Sequence, residues 1–213
     1  SGKRVGAYAK VIKEFSRRNR IVCVTGGEPM LYPRLVKEIV SECNRHSIPE
    51  VWLFTNGFWA SNSSRARPII GDLKGRGLTK VFLSVDAFHQ RYVPIEFVKN
   101  AIEASMKADL EVCIDARFIG QPGEDNRYNS ATRSLLGSLG SLLSNIEVTR
   151  AQPLFVGRAA ESLSKHVEKK SFSEILDEEC RGAWAGGTLK SPLGVDVAEF
   201  RFVTICPGLG IGN

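Results

Sequence analysis

A short stretch near the start of the chain combines residue types that suit the binding of an amine. The β-branched run Ile21 to Thr25 is followed by Gly26, Gly27, Glu28 and Pro29. Two glycines after a strand let the backbone come close to a ligand, and Glu28 would supply a fixed negative charge there. Such a charge suits a primary ammonium group, so we expect this loop to hold the amino-acid end of a small cofactor. A plain strand-to-helix turn with a solvated glutamate is the alternative.

Further polar side chains follow the later predicted strands. They are Thr55, Asn56, Ser84, Asp86, His89, Asp115 and Arg117. The carboxyl ends of parallel strands meet at one edge, where ligands bind in barrels and open sheets alike. Several polar groups converging on that edge predict a ligand site. His89 could bond a substrate or transfer a proton, or it could only stabilise its own turn.

The elements that must position these residues alternate between strand and helix. Strands are predicted at residues 21–25, 51–55, 80–85, 110–116 and 146–149. Helices are predicted at residues 6–18, 33–46, 66–74, 94–108 and 131–143. Continuous apolar strands that alternate with helices indicate an α/β fold with a parallel sheet and right-handed crossovers.

The alternation ends after Pro153, which divides the chain into two predicted parts. Residues 1–153 form the α/β core, and residues 154–213 form a small C-terminal extension. Apolar residues between Val195 and Ile205 indicate two short antiparallel strands in that extension.

Composition narrows the class of protein. The chain has 213 residues, 43% of them hydrophobic, which is enough for one sizeable core. No apolar run reaches the roughly 20 residues of a membrane span, and no signal peptide is present. The charge of +6 lies in short scattered clusters without interleaved aromatics, which does not favour nucleic acid as a partner. Five widely spaced cysteines favour a reducing cytoplasm.

Three of the predicted strand ends together resemble the radical S-adenosylmethionine (radical SAM) enzymes. The matching segments are Thr25 to Leu31, Thr55 to Gly57 and Ser84 to Asp86. The resemblance covers about Ile21 to Thr149. It implies a partial (β/α)6, TIM-like barrel, here lacking its N-terminal part and carrying a small C-terminal β appendage.

The resemblance also implies roles for individual residues. Gly26, Gly27, Glu28 and Pro29 would bind the methionine amino group of S-adenosylmethionine, with Thr55 and Asn56 beside them. Ser84 and Asp86 would lie near the ribose and the methionine carboxylate, for which Arg117 is a further partner by charge and shape. Apart from the resemblance, His89 and Asp115 are candidates for substrate contact or acid–base chemistry by residue type and position.

The implied reaction is the reductive cleavage of S-adenosylmethionine at a [4Fe–4S] cluster. The resulting 5′-deoxyadenosyl radical would abstract hydrogen from a substrate, either a peptide or a small molecule, that the sequence does not identify. An electron-donor protein is the implied partner.

The chain departs from the family in its cysteines. The cluster motif Cys-x-x-x-Cys-x-x-Cys occurs nowhere in the sequence, although three thiolates are needed to hold the cluster. Cys23, Cys43 and Cys113 fall inside strands or a helix and are interpreted as core residues. We therefore expect that the first strand and the cluster loop are missing and that this chain alone is inactive.

Several alternatives stay open. Cys180 and Cys206 could ligate an auxiliary iron–sulfur cluster, or they could be two structural thiols. The chain could be a binding module for a nucleoside or a protein that kept the barrel without the cluster. An ordinary barrel enzyme using Asp86, His89 and Asp115 for acid–base chemistry is a third hypothesis, which leaves Glu28 unexplained.

Overall fold

The computed structural model of the chain describes residues 8–13, 21–120, 123–152, 180–182, 187–189 and 202–205. Residues 8–13 are helical (α1), and within them Tyr8 and Ile12 are buried in the main core. The remainder of the helix predicted at 6–18 lies outside the described residues, as does the predicted boundary after Pro153.

The five predicted strands of the core are present. They are β1 (Ile21–Val24), β2 (Glu50–Thr55), β3 (Lys80–Ser84), β4 (Glu111–Arg117) and β5 (Glu147–Ala151). The helices between them are α2 (Pro33–Arg45), α3 (Ser63–Arg76), α4 (Ile95–Lys107) and α5 (Arg127–Leu139). The alternation of apolar strands with helices therefore predicted the core elements.

Two helices begin earlier than predicted because an asparagine side chain caps each of them at the earlier position. The Asn62 side chain accepts the Arg65 N–H at the start of α3, which continues through Pro68. The Asn126 side chain accepts the N–H groups of Tyr128 and Asn129 at the start of α5. A cap of this kind satisfies backbone donors that have no partner within the helix.

All neighbouring strands of the main sheet run parallel, in the order β5-β4-β3-β2-β1-β8. β8 (Phe202–Ile205) pairs with β1, so the prediction that this segment forms an antiparallel strand of the extension is wrong. Pairing on both sides satisfies the backbone groups of β1, whose Val22, Cys23 and Val24 are buried.

A separate antiparallel pair joins β6 (Cys180–Gly182) to β7 (Gly187–Leu189). Cys180 stands opposite Leu189 in that pair. The α/β fold is confirmed, with a sheet consistent with a partial barrel that is not closed among the described residues.

The two faces of the sheet differ in what they pack against. One face contributes residues such as Val24, Leu53 and Leu83 to the large core shared with the helices. The other face carries a smaller cluster of Cys23, Trp52, Phe54, Phe82 and Cys113, in which Phe54 and Phe82 stack with ring centroids 4.2 Å apart.

Strand register aligns a polar row on the face that carries the smaller cluster. Ser84 pairs with Asp115, and Asp115 pairs with Thr149, one row beyond Phe82 toward the carboxyl edge. Side chains two residues apart in a strand point to the same face, so this face changes from aromatic to polar along the strands. The register therefore predicts that a ligand bound at the carboxyl edge contacts this polar row and not the aromatic cluster. Within the described residues, no helix is long and apolar enough to cross a membrane.

Candidate functional site

The loop after β1 takes a conformation that depends on glycine. Gly26 has a φ of +131°, a region that residues with a side chain rarely adopt. A Cβ added to Gly27 would meet nothing within 4 Å. Pro29 then begins a 3-10 turn, Pro29–Leu31, with Glu28 as its N-cap. The loop therefore turns sharply at the carboxyl edge and presents Glu28 there.

Three donors fix the carboxylate of Glu28. Oε1 accepts the Met30 N–H at 3.0 Å and the Thr55 hydroxyl at 2.8 Å, and Oε2 accepts the Asn56 N–H at 2.7 Å. A carboxylate offers about four acceptor positions, so one position on Oε2 is left. Glu28 thus joins the ends of β1 and β2 and keeps a place for one more donor.

Burial raises the pKa of Glu28, and hydrogen bonds oppose that rise. The N–H groups of Asn56 and Met30, the hydroxyl of Thr55 and the nearby His89 all act to lower it. These contacts offset part of the cost of removing the charged form from water, and the net shift of the Glu28 pKa is upward. The carboxylate is therefore held in place by donors and remains suited to an ammonium ligand.

Thr55 bonds protein groups on every side. Its Oγ1 accepts the Trp59 indole N–H at 3.0 Å and the Gly57 N–H at 3.2 Å, while it donates to Glu28. The side chain of Asn56 accepts the Phe58 N–H at 2.9 Å. Thr55 and Asn56 thus support Glu28 and their own turn, and their predicted binding of the cofactor stays a prediction.

The loop after β3 is built around a buried carboxylate. Asp86 is 0% exposed, and its Oδ1 accepts the N–H groups of Phe88 and His89 at 2.9 and 3.0 Å. Its two oxygens lie 2.9 and 2.8 Å from His89 Nδ1. Gln90 closes the loop by accepting the Asp86 N–H and donating to the Ser84 carbonyl.

This geometry changes the role expected for Asp86. Its carboxylate bonds its own loop, whereas His89 is half-exposed with Nε2 on the side of the ring away from Asp86. Because Nδ1–H donates a hydrogen bond to Asp86, Nε2 is the ring atom available to a ligand. Asp86 therefore orients His89, and Ser84 contributes its carbonyl to the same loop.

Asp115 and Arg117 form an ion pair at the end of β4. Arg117 Nη2 donates to Asp115 Oδ2 at 2.6 Å, and Nη1 donates to the Gln152 carbonyl at 3.1 Å. The Thr149 hydroxyl lies 3.3 Å from Asp115 Oδ1. Arg117 uses two of its five N–H donors in these contacts, so it can still bind an anionic oxygen.

Electrostatics connects the three strand ends. Burial acts to lower the pKa of His89, but the hydrogen bond and the charge of Asp86 raise it further, so the net shift is upward. Asp115 adds to the rise and Arg117 opposes it. His89 in turn acts on the pKa of Glu28. The residues predicted from separate stretches of sequence are thus close enough to influence each other's charge.

Other residues of this region were not found from the sequence. The Thr132 hydroxyl on α5 accepts the Ala87 N–H at 3.1 Å and lies 3.5 Å from the Arg117 carbonyl, so it links the β3 and β4 loops. Trp59, which follows β2, donates its indole N–H to Thr55 Oγ1. Its position four residues after Thr55 was the only sequence signal of their contact.

The described cysteines do not fit an iron–sulfur cluster. Cys23, Cys43 and Cys113 are free and buried, and burial raises the pKa of their thiols to about 12, 12 and 11. Among the described residues, no group of three or more His, Cys, Asp or Glu side chains could hold a metal ion. The auxiliary site predicted at Cys180 and Cys206 stays a prediction, because Cys206 lies outside the described residues.

Comparison with known proteins identifies the family of this chain. A protein of Bacillus subtilis (strain 168), YydG, described as a peptide biosynthesis protein, is 22% identical over 173 residues. That alignment covers 80% of this chain and 51% of YydG, so the chain spans about half the length of this relative. The profile of the Radical SAM superfamily matches residues 3–132, which is more than half of the sequence. The match contains the loops that carry Glu28, Asp86 and Arg117, and the chain belongs to the radical SAM superfamily.

Proposed function

We propose that this chain is the S-adenosylmethionine-binding core of a radical SAM enzyme that modifies a peptide. The observation that carries the proposal is the Glu28 carboxylate, held by three donors at the carboxyl edge with one acceptor position left. An ammonium group is a compact donor that suits this position. The description of YydG as a peptide biosynthesis protein supports a peptide as the substrate class.

The charges of the site fit the cofactor. The site brings together three carboxyl groups, Glu28, Asp86 and Asp115, with the guanidinium of Arg117 and the imidazole of His89. This set of acceptors complements the ammonium and sulfonium groups of S-adenosylmethionine, and Arg117 complements its carboxylate. Electrostatic complementarity of this kind favours the correct partner and orientation.

Each residue of the site has a proposed role in binding S-adenosylmethionine or the substrate. Glu28 binds the amino group, with the backbone of Gly26 and Gly27 allowing close approach. Arg117 retains donors for a carboxylate, and His89 presents Nε2 to the substrate or to the cofactor. Bound S-adenosylmethionine would supply the adenosyl group that abstracts hydrogen, and the chain's own part is binding, orientation and exclusion of water.

We derive no step through an iron–sulfur cluster, because the described residues do not fit one. The 213 residues also lack the three-cysteine motif, so we propose that this chain alone binds S-adenosylmethionine but does not cleave it. In the full-length protein, reduction would need an electron-donor protein. An auxiliary cluster at Cys180 and Cys206 belongs to the same proposal.

Two measurements test the function. Equilibrium dialysis of S-adenosylmethionine against the full-length protein should show saturable binding. After anaerobic reconstitution with iron and sulfide, the reduced protein should release 5′-deoxyadenosine. A protein that folds but binds no S-adenosylmethionine would contradict the proposal.

The sequence lacks the Cys-x-x-x-Cys-x-x-Cys motif, which leaves a second candidate function. The chain would then be a module that binds a nucleoside or a protein and performs no chemistry. In that case the full-length protein would bind S-adenosylmethionine or a nucleoside, incorporate no iron and release no 5′-deoxyadenosine.

A further inference from the structure

We infer that Thr55 and Trp59 form a relay that positions Glu28 for its ligand. Both residues lie outside the loop that carries Glu28, and each is 3% exposed. The Trp59 indole N–H donates to Thr55 Oγ1, and the Thr55 hydroxyl donates to Glu28 Oε1. The inference rests on the proposed function insofar as the ligand is S-adenosylmethionine.

The direction of the Thr55 hydroxyl proton follows from its neighbours. A hydroxyl has one proton to donate and two lone pairs to accept with. The Trp59 indole N–H and the Gly57 N–H can only donate, so they occupy both lone pairs. The Thr55 proton must therefore point to Glu28, at an oxygen–oxygen distance of 2.8 Å.

This arrangement fixes the carboxylate in a single orientation. Thr55 and Met30 hold Oε1, and Asn56 holds Oε2, so the plane of the carboxyl group cannot turn without breaking a bond. Hydrogen bonds to charged groups are stronger than neutral ones, and burial strengthens them further. The remaining acceptor position on Oε2 consequently points in a fixed direction.

The relay also affects the charge of Glu28. Burial raises the pKa of Glu28, and the Thr55 hydroxyl is one of the groups that lower it. Without that donor, the protonated form of Glu28 gains in population at a given pH. A protonated Glu28 would attract an ammonium group less strongly.

The chain offers matched controls for both residues. The Thr79 hydroxyl is bonded to the backbone of Val51, at the other end of the sheet from Glu28. The Trp52 indole N–H donates to Glu50 Oε2 at 3.1 Å, also away from the site. Thr79→Val and Trp52→Phe therefore remove the same chemical groups without touching the relay.

The first test is S-adenosylmethionine affinity, measured by equilibrium dialysis on the full-length protein. Thr55→Val should weaken binding about 10-fold, because a donor to a charged group is lost. Trp59→Phe should weaken it by a smaller factor, and Thr55→Ser should bind like the wild type because it keeps the hydroxyl. Thr79→Val and Trp52→Phe should leave affinity unchanged. Equal losses in Thr55→Val and Thr79→Val would overturn the relay, as would unchanged affinity in Thr55→Val.

The second test needs no ligand. Carbon-13 NMR of the side-chain carboxyl groups should show that Thr55→Val raises the pKa of Glu28, whereas Thr55→Ser restores it. A Glu28 titration that is identical in all three proteins would overturn the relay. If the wild type binds no S-adenosylmethionine but Thr55→Val still shifts the Glu28 titration, the relay stands and the proposed function falls.

Discussion

The two ends of the sheet both carry charged groups, but they use them differently. At the amino end, Lys80 lies 2.5 Å from Glu111 and 3.5 Å from Glu147, with its ammonium over the rings of Trp52 and Phe82. The two glutamates are mostly exposed, and the stem of Lys80 is buried. At this end of the sheet, the Lys80 ammonium is paired with the two glutamates and packs over the aromatic rings.

At the carboxyl end, the charged groups keep unused bonding capacity. Glu28 retains an acceptor position, Arg117 retains donors, and His89 presents Nε2 while Asp86 holds Nδ1. Their partners fix these groups before any ligand arrives. The charged groups at the amino end therefore stabilise the fold, whereas those at the carboxyl end are arranged to bind a ligand.

Asp86→Ala should produce the largest loss of stability. The substitution removes the acceptor of three N–H groups in a buried loop, for which we expect a loss of about 3 kcal/mol in the free energy of unfolding. Asp72→Ala is the matched control, since Asp72 pairs with Lys37 and Arg76 at the surface and should cost below about 1 kcal/mol. Urea unfolding followed by circular dichroism measures both. Similar losses in the two variants would show that the hydrogen bonds of Asp86 stabilise the fold no more than a surface ion pair does.

Replacing the two cations by methionine compares the two ends directly. Arg117→Met leaves Asp115, whose side chain is 10% exposed, with Thr149 alone and should cost about 2 kcal/mol. Lys80→Met leaves two exposed glutamates and keeps a long apolar side chain on the rings, so it should cost about 1 kcal/mol or less. Ligand affinity should fall only in Arg117→Met. A fall in affinity for Lys80→Met would contradict the separation of the two ends.

The Asp86–His89 pair should give a smaller, pH-dependent effect. The pKa of His89 is raised above its ordinary value of 6.5, so the folded state holds the imidazole proton more tightly than the unfolded state. The resulting stabilisation is complete below pH 6.5 and is lost as pH rises through the raised pKa. Because His89 is 39% exposed, we expect a few tenths of a kcal/mol.

Proton NMR of the His89 ring measures this shift. The midpoint should lie above 6.5 in the wild type and fall in Asp86→Asn, with the other histidines as internal references. His89→Gln should remove the corresponding pH dependence of stability. A wild-type midpoint at or below 6.5 would show that Asp86 does not hold the imidazole as described.

The sequence predicted the core of the fold because strand and helix signals alternate clearly there. It also predicted which residues lie at the carboxyl edge, since the ends of parallel strands must meet. It did not predict which polar groups face a ligand and which face one another. Thr55 and Asp86 both bond protein groups, which no local pattern indicates, and their predicted contact with the cofactor stays a prediction.

The reasons for these differences are physical. A hydroxyl or carboxylate bonds whichever donors are closest, and Trp59 reaches Thr55 only because the turn brings residues four apart into contact. Pairing of β8 with β1 joins segments about 180 residues apart in the sequence. Neither local propensity nor periodicity reports such a long-range pairing. The asparagine caps of α3 and α5, in contrast, are local sequence signals, because Asn is a preferred residue directly before a helix.

The central claim is that Glu28 at the carboxyl edge binds the amino group of S-adenosylmethionine. Its most direct test is the dissociation constant of S-adenosylmethionine for the wild-type protein, Glu28→Gln and Glu147→Gln, measured by equilibrium dialysis. Glu28→Gln removes the charge and should weaken binding by at least about 10-fold, whereas Glu147→Gln at the amino end should bind like the wild type. Wild-type affinity in Glu28→Gln, or an equal loss in both variants, would contradict the account.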